Sequence, residues 1–386
     1  MMGPLPNSDR LIEALRFKAE QLGLELFGIT TLDTPPHLPT YEAWIAQGRH
    51  AGMAYMASER NRFLRTHPQA ILPEARALVV VGMRYPAPQA LPPPASRLVG
   101  RIASYAWGKD YHLILPVLLQ ELLKVVEEFF GHPIPSRLYS DTGPVLERDF
   151  AQQAGLGWIG KNTCLIHPRK GSYFLLGEAF IGVSLPSTPA FSTDYCGTCR
   201  RCIEACPTQC ILPDRTIDAG QCISYLTIEN KGAIPRALRP HMGNWVFGCD
   251  ICQMVCPWNL RFARAEGSTA FTMRPEIAFP DLTHELQLTP KAFKERYGDT
   301  PVMRARRRGF LRNLAVALGN AADPSTVPTL AQVLREEPEP LIRSHAAWAL
   351  GRIQTHAARL ALEKAYKNEP TPEVQMEINA ALEQIP

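Results

Sequence analysis

The sequence predicts a three-part chain: an α/β domain, a cysteine-rich module and an all-α tail. Three observations lead to this prediction. Helical and strand-like patterns alternate up to about residue 185, nine of the ten cysteines lie within 61 residues, and an apolar pentapeptide recurs after 32 residues. We place the parts at 1–185, 186–262 and 303–386, with a connector at 263–302.

Length and composition indicate a folded chain with a core of ordinary size. It has 386 residues, of which 46% are hydrophobic, and its 41 Lys and Arg nearly balance 37 Asp and Glu. This composition excludes a disordered chain and a strongly basic one. No apolar run reaches the roughly 20 residues that a membrane span needs, and the N-terminus lacks the features of a secretory signal. We therefore expect a cytoplasmic protein without a membrane partner.

The N-terminal part combines amphipathic helices with strands. Leu11 and Leu15 belong to an apolar face, and Val79–Val81 form the centre of a buried strand. The predicted helices span 9–22 and 113–130, the strands span 24–29, 78–83 and 174–184, and a proline-rich loop spans 86–96. Gly131 is placed to end the second helix.

The spacing of the cysteines is typical of iron–sulfur ligands. Cys196, Cys199, Cys202 and Cys206, followed by Pro207, form the C-x2-C-x2-C-x3-C-P run of bacterial ferredoxins, whose fourth cysteine binds the other cluster. A second run ends at Cys256 but has Val246 at its first position. Cys222 lies between the runs and can supply the missing ligand. We therefore predict a bacterial-ferredoxin-like module with two [4Fe–4S] clusters.

The crossing of the fourth cysteine divides the ligands between the clusters. One cluster is predicted on Cys196, Cys199, Cys202 and Cys256, and the other on Cys206, Cys222, Cys249 and Cys252. A pair of four-cysteine zinc sites is the alternative, although zinc ribbons seldom use this spacing. Cys164 and Cys210 are left over, and we expect both to serve packing.

The tail has an internal repeat. The sequence Ala315–Gly319 recurs as Ala347–Gly351, and a further 32 residues bring Ala381 into register. A period of this length with helical apolar spacing predicts stacked HEAT-like helix pairs. An ordinary small helical bundle is the alternative.

A glycine motif resembles a nucleotide site without meeting its requirements. Gly155, Gly157 and Gly160 match G-x-G-x-x-G, but the preceding segment is predicted to be helical, whereas a dinucleotide fingerprint follows a strand. Gly160-Lys161 also ends a near P-loop, but Asn162 replaces the required Ser or Thr. We do not expect ATP binding here.

Several stretches together resemble one family, the epoxyqueuosine reductases of tRNA queuosine synthesis. They are Trp107–His112, Asp141–Arg148, Gly155–Thr163, both cysteine runs and Cys222–Glu229, and the HEAT-like tail occurs in the longer members. The resemblance implies a cobalamin-binding domain like that of reductive dehalogenases. It also implies two [4Fe–4S] clusters that deliver electrons to cobalt. The substrate is then the anticodon stem-loop of a tRNA that bears epoxyqueuosine.

By this resemblance Asp141 is the catalytic proton donor and a cofactor contact. A carboxylic acid fills that role near neutral pH only if its pKa is raised; a turn or helix-capping aspartate is the alternative. The D-x-H-x-x-G element that gives cobalt a histidine ligand is absent, because Leu115 replaces its glycine. Further candidate cobalamin contacts in or near the matching stretches are Arg65, Ser104, Lys161, Asn162 and Ser224.

Basic residues near the start of the tail predict an RNA-binding strip. The predicted tRNA contacts are Lys231, Arg304, Arg306 and Arg307, and further charge comes from Arg236, Arg239, Arg261, Arg308 and Arg312. Such contacts bind phosphates and supply affinity rather than sequence choice. A solvated arginine face is the alternative.

Two other functions compete with this prediction. One is a cobalamin-dependent reductive dehalogenase of a small molecule, which would not need the basic strip or the tail. The other is a non-catalytic electron-transfer subunit, which would leave the α/β domain without a role. We expect a monomer that receives electrons from a low-potential donor.

Overall fold

The N-terminal domain is built on a four-stranded antiparallel sheet. The structure, a computed structural model, describes residues 8–88 and 98–385, so most of the predicted loop at 86–96 lies outside the described residues. The strands are β1 Leu24–Thr30, β2 Ala77–Arg84, β3 Arg101–Ile102, β4 Ser136–Tyr139, β5 Trp158–Ile159, β6 Leu165–Ile166, β7 Phe174–Ile181 and β8 Trp245–Phe247. The three predicted strands are present, although the last ends earlier than predicted, at Ile181.

The sheet has the order β1-β2-β7-β4, with β2 and β7 at its centre. Alternate residues of β2 point to opposite faces, as the period of a strand requires. Val79 and Val81 belong to the core on one face, and Leu78 and Val80 to the core on the other. The continuous run of apolar residues in β2 therefore reflects burial on both faces.

Helices cover both faces of this sheet. The N-terminal helices are α1 Ser8–Gln21, α2 Leu38–Ala46, α3 Ala54–Ala57, α4 Glu59–Thr66, α5 Leu115–Phe130 and α6 Glu147–Gln153. Leu15 of α1 and Leu119 of α5 pack on one face, and Phe150 of α6 packs on the other. Gly131 has a left-handed φ of 73° and ends α5, as predicted.

The glycine motif has a structural role. It follows helix α6 rather than a strand, as predicted, so it lacks the context of a dinucleotide fingerprint. Gly157 has a φ of 151°, and a Cβ atom there would collide with the carbonyl oxygen of Ile166. The glycine thus permits the close approach of β5 and β6.

The cysteine-rich segment has short helices joined by tight turns. They are α7 Arg201–Ala205, α8 Ile223–Ile228, α9 Ile251–Met254 and α10 Pro257–Phe262. Strand β8, which precedes Cys249, pairs in parallel with β3. This pairing joins the cysteine segment to the N-terminal domain.

The connector is helical, which its sequence did not reveal. It contains α11 Pro275–Ala278, α12 Leu282–Glu285 and α13 Pro290–Tyr297, followed by the 3-10 turn Pro301–Ala305. Leu282 and Phe293 are buried in a core that continues from Phe247 to Phe310. Its short helices support the start of the tail.

The tail has five helices in the described chain, and their stacking confirms the 32-residue repeat. They are α14 Arg306–Ala321, α15 Val327–Glu336, α16 Pro340–Ile353, α17 His356–Tyr366 and α18 Pro372–Leu382. The repeated glycines are the points of closest contact, because Gly319 lies against Trp348 and Gly351 lies against Ala381. Across residues 8–88 and 98–385, no helix combines the length and apolarity needed to cross a bilayer.

Candidate active site and iron–sulfur centres

The first predicted set of ligands surrounds one cavity. Cys196, Cys199, Cys202 and Cys256 all line a space of about 230 Å³, together with Trp258. The indole nitrogen of Trp158 lies 3.5 Å from the Cys196 sulfur, within the reach of an N–H···S hydrogen bond. Four thiols and an aromatic wall around an enclosed space suit a [4Fe–4S] cluster.

This first site lies near the protein surface. A wider depression of about 610 Å³ adjoins it and is lined by Cys196, Cys199, Arg200 and Arg201. The side chains of Arg200 and Glu204 are each 65% exposed. An external electron donor could therefore approach this cluster closely.

The second predicted set is more deeply placed. Burial raises the pKa of the Cys249 thiol, and the nearby thiols of Cys222 and Cys206 raise it further. Cys252 also lies near Cys249 and Cys222. The four thiols thus form a neighbourhood of their own, consistent with the predicted division.

The two surplus cysteines contact this second set. The Cys210 sulfur lies 3.5 Å from the Cys206 sulfur and also contacts Cys222, and Cys164 contacts Cys252. The sequence predicts a packing role for both. In the structure each thiol also lies beside a predicted ligand.

Asp141 lies at a solvent-exposed place near Tyr111, His112, Tyr55 and Arg304, which we call the recess. Its backbone has a φ of 61°, which is rare for a residue with a side chain. The Tyr111 hydroxyl donates a 3.0 Å hydrogen bond to its Oδ2, and Nε2 of His112 lies 3.6 Å from the same oxygen. The other ring nitrogen of His112 contacts Asp110 at 2.7 Å.

The electrostatics of Asp141 differ from the expectation. Burial acts to raise its pKa, but hydrogen bonds from His112 and Tyr111 outweigh this effect and lower the pKa below its usual value. The side chain is 65% exposed to the recess. Hydrogen bonds from Asp110 and Asp141 raise the pKa of His112 to about 9. In the open recess the proton therefore resides on His112. The expectation that the pKa of Asp141 is raised is wrong for this state.

The opposite wall comes from the cysteine module and the start of the tail. Arg304 donates to Glu229 at 2.6 Å, and its guanidinium lies 5.9 Å from the centre of the Tyr55 ring. The negative charge of Asp141 is among the influences that raise the pKa of Tyr55, which places the two side chains near each other. The recess thus joins all three parts of the chain.

A short path connects the second set of cysteines to this recess. Asp250 follows Cys249 and accepts a 2.7 Å hydrogen bond from the backbone N–H of Ser104. Tyr105, which follows Ser104 in the chain, contacts Tyr111 edge to face. The deep cysteines and the aspartate recess are therefore neighbours.

The predicted cobalamin contacts do not form one group. Arg65 is 5% exposed, and its Nε has no hydrogen-bond partner among the described residues. Ser104 is fully buried, and its backbone N–H donates to Asp250, so its role as a cobalamin contact stays a prediction. Backbone N–H groups near Ser224 point at the Cys222 sulfur and lower the pKa of its thiol.

Lys161 and Asn162 belong to the first cysteine site rather than to the recess. Both line the 230 Å³ cavity. The ammonium group of Lys161 donates to the carbonyl oxygens of Gly197 and Cys199, at 2.6 Å and 3.0 Å. Lys161 thus supports the loop of the first cysteine group, and cobalamin binding by Lys161 and Asn162 stays a prediction.

The structure divides the predicted basic strip. Lys231 and Arg306 are exposed, and Arg304 is partly exposed beside the recess. Arg307 is 18% exposed, and its guanidinium is taken up by Glu337 and the Leu288 carbonyl, so the prediction of an RNA contact is wrong for it.

Two other predicted members are also structural. Arg312 is fully buried and donates to the carbonyl oxygens of Leu226, Asn230 and Gly232. Arg239 is buried in an ion pair with Glu377. Charge alone could not distinguish these arginines from exposed ones, because an arginine carries the same charge whether it is exposed or paired within the fold.

Several residues at the recess were missed from the sequence. They are Tyr55, Tyr105, Tyr111, His112, Glu147 and Glu229. Tyr111 and His112 stand within a stretch that carried the family resemblance, so that signal could have identified them. Tyr55 had no such signal, because only the tertiary fold brings it to Asp141.

The clustered thiols and the electrostatically tuned aspartate define an iron–sulfur oxidoreductase. Family models match in the same order: "4Fe-4S double cluster binding domain" over 195–259 and "HEAT repeats" over 303–383. The model described as "Epoxyqueuosine reductase QueG, DUF1730" matches 65–142. The double-cluster match favours iron–sulfur clusters over the zinc alternative, and the repeat match favours HEAT repeats over a simple bundle.

Full-length relatives identify the family. The epoxyqueuosine reductase of Pseudomonas aeruginosa is 40% identical over 354 residues, covering 90% of this chain and 96% of that protein. The Escherichia coli enzyme is 37% identical, with 91% and 92% covered. The chain belongs to the epoxyqueuosine reductase family.

Solved structures agree over nearly the whole chain. A selenomethionine-labelled epoxyqueuosine reductase superposes with a TM-score of 0.91 at 31% identity, covering 98% of this chain and all of that one. A complex with an epoxyqueuosine-modified tyrosine tRNA stem loop gives 0.88 at 32% identity, with the same coverage. The Bacillus subtilis enzyme, whose catalytic aspartate loop is swung out of the active site, gives 0.87 at 31%.

Proposed function

We propose that this chain reduces epoxyqueuosine in tRNA to queuosine. The epoxide takes up two electrons and two protons; both C–O bonds break, an alkene forms and the oxygen leaves as water. The observation that carries the proposal is the Asp141 recess beside the second cysteine set, in a chain that matches epoxyqueuosine reductases from end to end. We place this reaction in the cytoplasm and expect a monomer.

The two predicted cysteine groups would hold [4Fe–4S] clusters in series. The first group lies beside an exposed depression whose neighbourhood contains Arg200, Arg201 and Arg261, with Glu204 as the acidic exception. This charge favours an electron donor with an acidic surface. The second group lies beside the recess, so electrons entering at the surface would end next to Asp141.

Cobalamin is the cofactor that the family implies, and the recess offers groups that fit it. The partnerless Nε of buried Arg65 can donate to an amide or phosphate oxygen, both of which cobalamin carries. Met56, which Arg65 contacts, follows Tyr55 at the recess wall. When bound, cobalamin would supply the low-potential cobalt chemistry that opens the epoxide.

The protein's own contribution is the proton. With the recess open, hydrogen bonds lower the pKa of Asp141, and His112, whose pKa is about 9, holds the proton at neutral pH. A bound nucleobase would exclude water from Asp141 and raise its pKa. The proton would then move from His112 to Asp141, which delivers it to the departing oxygen.

The tRNA would lie across Arg304 and Tyr55. An exposed tyrosine beside an arginine suits a base that has left its stack, and the exposed charges of Lys231 and Arg306 suit the RNA backbone. One relative has been solved with an epoxyqueuosine-modified tyrosine tRNA stem loop, which supports a tRNA substrate here.

The test is anaerobic reconstitution with iron, sulfide and cobalamin, followed by incubation with epoxyqueuosine-containing tRNA. Nucleosides released by digestion are then separated and identified by mass spectrometry. We expect queuosine, and none when cobalamin is omitted. If protein with verified clusters and cobalamin converts no tRNA, the proposal is refuted and a dehalogenase or an electron-transfer subunit is favoured. Activity on a halogenated substrate would then distinguish these two.

A further inference from the structure

Two buried carboxyl groups lie behind Asp141. Glu178 stands in the middle of β7, opposite Val80 of β2 and Tyr139 of β4, and is fully buried. Neither of its oxygens meets a donor among the residues that the structure describes. The polar group within its hydrogen-bonding reach is the carboxyl of Glu147. A buried glutamate in a central strand is costly unless it is neutral or paired.

Glu147 connects this buried pair to the Asp141 backbone. Its Oε1 accepts a 2.5 Å hydrogen bond from the N–H of Asp141. Asp141 needs such an anchor, because its φ of 61° is unfavourable for a residue with a Cβ atom. Glu147 begins helix α6, which packs against the sheet, so the anchor is itself firmly held.

Two buried carboxyl groups within hydrogen-bonding reach of each other cannot both be ionised near neutral pH. Burial and the charge of Asp141 together raise the pKa of Glu147 to about 7. Burial and the neighbouring Glu147 raise the pKa of Glu178 well above its usual value. Above pH 7 the pair therefore carries one proton, with Glu178 as the donor to an ionised Glu147.

We propose that Glu147 and Glu178 are positioning residues that share one proton and so hold the Asp141 loop at the recess. The proposal rests on the proposed function, in which Asp141 delivers the proton. An ionised Glu147 binds the Asp141 N–H more strongly than a neutral one does, because hydrogen bonds to a charged acceptor are stronger. When pH falls through about 7, Glu147 is protonated and the loop is held less firmly.

Other charged groups face the pair, and none of them cancels the rise in the pKa of Glu147. Arg148 donates to the carbonyl of Thr163 and favours the ionised form of Glu147. Asp141 acts in the opposite sense and is already included in the raised pKa. The remaining titratable neighbours around the pair are Tyr111, His112 and Tyr139.

Two isosteric variants separate the proton from the shape. E178Q retains a donor to Glu147, but an amide donates more weakly to a carboxylate than a carboxylic acid does, so Glu147 should be protonated at a higher pH than in the wild type. E147Q retains an acceptor for the Asp141 N–H but cannot ionise. E128A, which removes an exposed glutamate of α5, is the matched control.

The first measurement is hydrogen exchange in peptides covering residues 136–146, corrected for the intrinsic pH dependence of exchange. In the holoenzyme we expect protection to decrease as pH falls through about 7. E178Q should move this step to higher pH. E147Q should abolish the step and leave protection low at every pH. E128A should behave as the wild type.

The second measurement is the pH profile of kcat. E147Q should lower kcat several-fold with little change in KM for tRNA and should lose the step near pH 7. A step that persists unchanged in both variants, or exchange that does not respond to either, would overturn the proposal. If exchange responds as expected but no protein converts the tRNA, the positioning pair stands and the proposed function fails.

Discussion

The hydroxyl of Tyr111 donates a 3.0 Å hydrogen bond to the carboxylate of Asp141, to the oxygen that His112 also approaches. This contact makes the aspartate a weaker base before substrate arrives, because both neighbours stabilise its charged form. The site therefore stores its proton on His112 and needs the substrate to transfer it. Under the proposed function, proton delivery would thus be linked to the exclusion of water by the substrate.

Replacement of Asp141 should abolish turnover without disturbing the clusters. We expect Asp141→Asn and Asp141→Ala to lower kcat by about 10²- to 10⁴-fold, the usual contribution of a general acid. Iron content and tRNA affinity should stay near wild type, because Asp141 lies outside both cysteine groups. Single-turnover conversion measures the loss, and activity that survives both changes would remove Asp141 from its role.

Activity should decrease at alkaline pH through His112. Its pKa is raised to about 9, so the stored proton is present below that value and is lost as pH rises through it. The profile of kcat/KM should therefore fall above about pH 9. In His112→Gln this limb should disappear and the rate below it should drop about tenfold or more. An unchanged alkaline limb in the variant would assign it to another group.

Iron analysis distinguishes ligands from the surplus cysteines. Cys202→Ser or Cys249→Ser should each lose one cluster, so that iron per chain falls to about half of the reconstituted wild type. Cys164→Ser and Cys210→Ser are matched controls that adjoin the second set but should keep full iron content. Loss of a cluster in Cys210→Ser, with Cys222→Ser unaffected, would exchange their assignments.

Arg306 and Arg312 should have opposite phenotypes. Arg306→Ala should weaken tRNA binding a few-fold and reduce the slope of log K against log salt concentration by about one. The free energy of unfolding should stay unchanged. Arg312→Ala should cost about 3 kcal/mol of unfolding free energy, because it leaves three buried carbonyl contacts unmade. Filter binding across salt concentrations and denaturant unfolding measure the two effects.

The control for this pair is Arg10→Ala on α1, which removes an exposed charge from a helix on the sheet face. It should change neither tRNA affinity nor stability. A salt dependence reduced equally by Arg10→Ala would mean that the loss reflects net charge rather than a contact at Arg306.

Local patterns predicted much of this structure. The central strand β2, helix α5 with its terminating Gly131, and the 32-residue repeat all follow from periodicity, because burial at regular spacing leaves a clear signal. The cysteine spacing predicted the cluster module because the ligands of a [4Fe–4S] cluster recur at a characteristic spacing. The recess could not be derived this way, since Tyr55, Tyr111 and Arg304 are distant in sequence and meet only in the folded chain.

Three arginines also show that local sequence patterns do not reveal tertiary contacts. Arg304, Arg307 and Arg312 look alike in the sequence, but one faces the recess, one is paired with Glu337 and one is fully buried. Their positions depend on which face of the first tail helix meets the cluster module. That contact joins distant segments and has no local signature.

The most direct test of the account counts electrons against product. The chain, with both clusters and cobalamin in place, is supplied anaerobically with a limiting low-potential reductant and excess epoxyqueuosine-containing tRNA. We predict one queuosine, lighter by one oxygen atom, for every two electrons consumed. Electrons consumed without loss of that oxygen, in protein whose cofactor content has been verified, would contradict the central claim that this chain reduces the epoxide.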